Sequence, residues 1–220
     1  MSNSYRVIIY SLIFCCLCIL TSSQGIQYYL NSNLFAGKQN HYKKIVTIEK
    51  NASLSQISHT LVRIGAIKFS VLFNFIVWSR GDENALNAGD YLLVSKMTIA
   101  DLYQDLRQGK VIRYKVTVPE GVRLSKILKI FSEELRLKHT LSQNIAPSSL
   151  RKILKISEKN LEGLFFPSTY QYTSKISDIR LLLSAYNMMK RVMYTYWLNR
   201  AQHLPYKHPY EALVAASLIE

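Results

Sequence analysis

The sequence predicts an α+β fold, with short strands and amphipathic helices following an apolar N-terminal segment. The first observation is Val111–Val118, VIRYKVTV, which alternates apolar and polar residues and is the clearest strand in the chain. The second is a pair of capping-box patterns, Ser53 with Gln56 and Thr98 with Asp101, each placed to open a helix. The third is the run Val7–Leu20, set in a stretch with no charged residue between Arg6 and Lys38.

The apolar run is shorter than the roughly 20 residues that span a bilayer. Its uncharged flank through Tyr28, Tyr29 and Leu30 lengthens it, and two tyrosines suit a membrane interface. A cleaved signal peptide is the rival, but Thr21-Ser-Ser-Gln24 is a poor cleavage site. Phe14 directly before Cys15 disfavours a lipoprotein signal. An uncleaved signal anchor is therefore favoured, with the rest of the chain across the membrane. Asn31–His41 is polar and turn-prone and reads as a linker.

Behind the linker, Lys44–Ile48 is a short strand candidate. Ser53 opens a helix with the stripe Leu54, Ile57, Leu61 and Ile64, closed by Gly65. Ser70 opens another, with Val71, Phe73, Phe75, Ile76 and Val77 to bury, and Gly81–Asn84 closes it. Ala88–Val94 is a turn and a strand. Thr98 begins a helix that stops at Gly109, and Val111–Val118 follows. Pro119-Glu-Gly121 turns the chain into a helix over Leu124–Leu135. His139–Asn160 reads as short helices and loops. Leu161–Tyr170, dense in aromatics and turn formers, reads as a constrained loop. Ser177 or Asp178 caps a helix to about His203, whose stripe of Ile179, Leu182, Leu183, Tyr186, Met189, Met193 and Trp197 is core packing.

The composition narrows the function classes. The 220 residues suit one domain or two small ones after the N-terminal segment. The net charge of +14 calls for an anionic partner, whether nucleic acid, lipid surface or acidic polymer. Scattered basic residues and the lack of an RNP-type motif or zinc spacing disfavour nucleic acid. The 3 cysteines, Cys15, Cys16 and Cys18, all lie in the apolar run, leaving no disulfide framework and no thiol nucleophile beyond it. No GxGxxG or Gly-Lys-Ser/Thr pattern suggests a phosphate-binding loop. The 15 Tyr and 8 Phe would suit a sugar-binding cleft but serve equally as core and rim.

The last stretch, Pro209–Glu220, reads as the opening of a helix. Tyr210, Leu213, Val214, Ser217 and Leu218 make one stripe, and Ala212 and Ala216 lead to Glu220 on a small-residued one. Alanines let a ligand approach the backbone, and an apolar setting raises a carboxyl pKa, as a general acid requires. From the residues alone, an exposed terminal glutamate is the commoner reading. The helix carries no terminus signal and reads as cut.

Taken in order, these pieces resemble the endolytic murein transglycosylases of the YceG-like family. They are an apolar N-terminal segment, Gly65-x-Ile67, Ala88-Gly-x-Tyr91, Pro119-Glu-Gly121, Leu161-Glu-Gly163, Phe166-Pro167-x-Thr169-Tyr170 and Ala216-Ser-Leu-Ile-Glu220. The resemblance implies residues 1–38 as cytoplasmic tip, transmembrane anchor and linker, 39–118 as a LysM-like β-α-α-β subdomain, and 119–220 as part of a catalytic domain. It implies a single-pass protein of the bacterial inner membrane, mostly periplasmic, acting on peptidoglycan strands beside cell-wall synthases. Glu220 would be the catalytic acid and base, and Glu162 and Tyr170 would lie near the cleft, although a capping carboxylate and a packed aromatic explain them as well. Ser168 stands where the family often has aspartate. The scheme uses no metal or organic cofactor. The family continues well past the motif, so the 220 residues alone are expected to be inactive. The competing expectation is a membrane-anchored peptidoglycan-binding module without catalysis.

Overall fold

The structure is a computed structural model. It describes residues 24–35, 42–142, 144–158 and 160–218. The chain forms two compact units, Met1–Ile112 and Arg113–Glu220.

The first unit contains α1 (residues 24–30), β1 (Lys43–Ile48), α2 (Leu54–Arg63), α3 (Ser70–Ser79), β2 (Gly89–Val94) and α4 (Ile99–Gln108). β1 and β2 pair antiparallel, from Lys43 opposite Val94 to Ile48 opposite Gly89. The pleat sends Val46, Ile48, Tyr91 and Leu93 inward, where they meet Ile57 and Leu61 of α2, Phe73 and Val77 of α3, and Leu102 and Leu106 of α4. Fully burying such a side chain contributes about 1.5–3 kcal/mol. Both capping boxes form as the sequence predicts. Ser53 and Gln56 exchange hydrogen bonds at the start of α2, and Thr98 and Asp101 at the start of α4. Gly89 has φ 145°, and a Cβ there would collide with the Val111 side chain, so β2 can open only on glycine. Asp90, fully buried, is met by the Thr47 hydroxyl at 2.7 Å.

The second unit contains β3 (Arg113–Val118), α5 (Leu124–Glu133), α6 (Pro147–Leu154), β4 (Ser168–Thr173), α7 (Asp178–Leu198) and α8 (Pro209–Ala216). β3 pairs antiparallel with β4, from Arg113 opposite Thr173 to Val118 opposite Ser168. Its core gathers Val116 and Val118, the α5 stripe Leu124, Ile127, Leu128 and Phe131, Leu150 of α6, and Leu182 and Ala185 of α7. Proline at the start of α6 lacks only an N–H that the helix would leave open. Asp178, buried at the start of α7, accepts the Thr140 hydroxyl and the N–H groups of Thr140, Leu141 and Ile179.

The strand at 113–118 finds its partner, β4, within the second unit. Three expectations need correcting. Ser168–Tyr170, read as loop, is the first half of β4, because the bulk of Leu161–Tyr170 masked its alternation. α7 ends at Leu198, short of His203, with Asn199 as its C-cap. On α3, Phe73, Ile76 and Val77 are buried, but Val71 and Phe75 face outward, since one packed side of a helix cannot hold all five. The apolar run Val7–Leu20 lies outside the described residues. Among the described residues, no helix is long and apolar enough to cross a membrane.

Candidate functional site

A cleft of about 500 Å³ opens in the second unit. Its walls are the turn between β3 and α5, the turn before β4, and one face of α8.

The first wall begins where Pro119 ends β3, since proline offers no N–H to continue a ladder. Glu120 and Arg123 from this turn line the cleft. Arg123 is also the N-cap of α5 and makes no side-chain cap. The open end of α5 is instead met by the second wall. Glu162 Oε2 accepts a hydrogen bond from the Leu124 N–H at 2.9 Å. A carboxylate at this place also opposes the positive end of the helix dipole.

The turn that carries Glu162 is held by two further hydrogen bonds. The Glu162 N–H donates to Asn160 Oδ1 at 3.1 Å. The Glu162 carbonyl accepts from the Tyr210 hydroxyl at 3.1 Å, which ties the turn to α8. Gly163 has φ 75°, and a Cβ there would sit 3.5 Å from Leu213 Cδ2. The third wall follows from the α8 stripe that the sequence shows: Tyr210, Leu213, Val214 and Ser217 all face the cleft. α8 buries none of its residues, so this face remains available to a ligand.

The cleft therefore sets two carboxylates, a guanidinium and an amide against apolar and aromatic walls that include Phe165 and Met189. Such a mixture suits a ligand with polar edges and apolar faces, as sugar rings have. Of the residues singled out in the sequence, Glu162 lies in the cleft, with its carboxylate engaged as a helix cap. Tyr170 is not among the lining residues. It sits on β4, and its hydroxyl donates to the Phe166 carbonyl. Burial pushes its phenol up to about 12. Glu220 lies outside the described residues, the last of which are Ser217 and Leu218. Glu120, Arg123 and Asn160 were not singled out. The signal for Glu120 was its place in Pro119-Glu-Gly121. Asn160 and Arg123 carry no local pattern of their own.

The model of the YceG-like family matches residues 46–220, which takes in the whole cleft. An endolytic murein transglycosylase of Streptococcus pneumoniae (strain ATCC BAA-255 / R6) is 27% identical over 226 residues, covering 89% of this chain and 40% of the relative. The endolytic murein transglycosylase of S. pneumoniae serotype 2 (strain D39 / NCTC 7466) matches to the same extent. The chain thus spans 40% of the length of the curated relatives it matches. A crystal structure described as a YceG-like protein from Listeria monocytogenes is 24% identical with a TM-score of 0.37, covering 71% of this chain and 57% of that one. With the family model matched over most of its length, the chain belongs to the YceG-like family.

Proposed function

We propose that this chain is part of an endolytic peptidoglycan lytic transglycosylase, with Glu220 as its acid and base. The observation that carries the reading is the family match, which runs through Glu220 and includes every wall of the cleft. In sequence, Glu220 lies three positions after Ser217, the C-cap of α8 and a residue that lines the cleft.

One carboxyl is enough for this chemistry. The protonated glutamate donates to the oxygen of the bond between N-acetylmuramic acid and N-acetylglucosamine, and the C–O bond breaks as the muramic ring gains oxocarbenium character. The muramic C6 hydroxyl then bonds to C1, and the carboxylate takes its proton. The result is a 1,6-anhydro end, and no water is consumed. A hydrolase would need a second carboxylate to activate water or act as nucleophile. Here the substrate brings its own nucleophile, so one residue serves both steps. Glu162, occupied at α5, positions the cleft wall and takes no part in proton transfer.

In the same reading, Val7–Leu20 is a single-pass inner-membrane anchor and the described units lie in the periplasm, beside cell-wall synthases. The β1-α2-α3-β2 order of the first unit supports a LysM-like module. A depression of about 770 Å³ between residues 48–55 and 83–88 favours a second reading, a membrane-anchored module that binds glycan strands without cutting them.

The test is a digest of purified peptidoglycan by the longest polypeptide the gene encodes, its Glu220→Gln variant and the 220-residue chain. Anhydro-ended fragments from the first, lost in the second and absent from the third, are expected. Equal products from Glu220→Gln would remove Glu220 from the chemistry. Co-sedimentation with peptidoglycan and no products would select the binding module.

A further inference from the structure

α3 is apolar on two opposite sides. Phe73, Ile76 and Val77 pack into the core. On the other side Val71, Phe75 and Trp78 recur at i, i+4 and i+7, with exposures of 76%, 49% and 62%. Leu72 and the N-cap residue Phe69 extend this face, and the Phe75 and Trp78 rings stand 6.2 Å apart. A contiguous aromatic face of this kind marks an interaction surface.

Two observations indicate what covers it. The Tyr29 hydroxyl donates to the Phe69 carbonyl at 2.9 Å, joining α1 to the start of α3. α1 lies inside the uncharged stretch between Arg6 and Lys38 and follows Val7–Leu20 closely in sequence, so the exposed face begins beside that stretch. Exposed Lys68 and Arg80 flank the helix at its two ends, and the net charge is +14. Tryptophan and phenylalanine between basic residues match the composition of a headgroup boundary, and a basic chain favours anionic lipid there.

We propose that α3 is an interfacial helix whose Phe69–Trp78 face lies in the headgroup–acyl boundary of an anionic bilayer. Placement of α3 at the bilayer rests on the membrane reading of Val7–Leu20, and the test separates the two. The full chain is reconstituted with vesicles containing phosphatidylglycerol. It has two tryptophans, and Trp197→Phe leaves Trp78 as the only reporter. Trp78 emission is expected to shift to the blue, to lose most of its intensity with lipids brominated on the acyl chains, and to resist aqueous iodide. Emission quenched by iodide and unchanged by brominated lipid overturns the proposal. Flotation of the same sample reports on Val7–Leu20. A floating chain with iodide-accessible Trp78 removes α3 from the bilayer and leaves the anchor. A chain that does not float removes both. Val71→Glu with Phe75→Glu changes only exposed positions, and is expected to abolish lipid quenching while the chain still floats. Shielding from both quenchers that grows with protein concentration assigns the face to a second copy of the chain and overturns the lipid assignment.

Discussion

The Glu162 carboxylate caps α5 from 38 residues away, accepting the Leu124 N–H at 2.9 Å. α5 has no capping side chain at its own N-cap, so the cleft wall and the helix end stabilise each other. Removing the carboxylate leaves an open N–H at the helix terminus, while the backbone ties of Glu162 to Asn160 and Tyr210 remain. Glu162→Ala is expected to cost about 1 kcal/mol. Glu162→Gln keeps an acceptor, loses the charge and should cost less. Urea unfolding of the variants checks this, and an unchanged midpoint in Glu162→Ala would dismiss the cap.

Gly163 is the next residue, and its φ of 75° lies in the left-handed region. Gly163→Ala should cost about 1–2 kcal/mol from backbone strain alone. The added methyl would meet Leu213 at ordinary contact distance, so α8 need not move. A thermal melt reads the loss, and a variant as stable as the parent would show that the turn relaxes.

Asp178 governs acid stability. Burial works against its charge, but the Thr140 hydroxyl and the N–H groups of Leu141, Thr140 and Ile179 outweigh it and hold the carboxyl below its ordinary value. A lowered folded pKa stabilises above the unfolded value of about 3.9 and is lost as pH falls through the folded one. Asp178→Asn should therefore be less stable than the parent at pH 7, with the gap closing in acid below about pH 4. Urea midpoints measured across the acid range test the convergence.

Tyrosines define the alkaline limit. Burial pushes the phenols of Tyr91, Tyr170 and Tyr186 up to about 12, helped by Asp105 at Tyr91 and by the Glu158 hydrogen bond at Tyr186. A folded pKa above the unfolded value of about 10 stabilises fully below about pH 10 and is lost as pH rises through the folded value. Ultraviolet titration should show these phenols ionising together with unfolding and not near pH 10. Phenylalanine replacements that leave the titration near pH 10 unchanged would support the assignment.

What the sequence revealed divides by distance along the chain. The capping boxes at Ser53 and Thr98 involve residues three apart, and both form. The α8 stripe was legible for the same reason, and it became a cleft wall. The partner of β3 lies far along the chain, and alternation shows that a strand exists without showing what it pairs with. The Glu162 cap is non-local in the same way, so its role became visible only when α5 came into place. α3 misled because residues apolar on both sides carry no periodicity to say which side is core.

The pairing of β3 with β4 also sets a timetable for synthesis. Thr117 and Thr169 meet with their hydroxyls 2.9 Å apart and lie 52 positions apart in sequence. At about 5–20 residues per second, a ribosome needs roughly 3–10 s to deliver the second strand after the first. During that interval the growing polypeptide carries a complete strand with open edges, the form most prone to joining a neighbouring chain. Arg113 and Lys115 punctuate that strand and are exposed in the finished fold. Their charges repel a second nascent copy, guarding the strand until its partner is made.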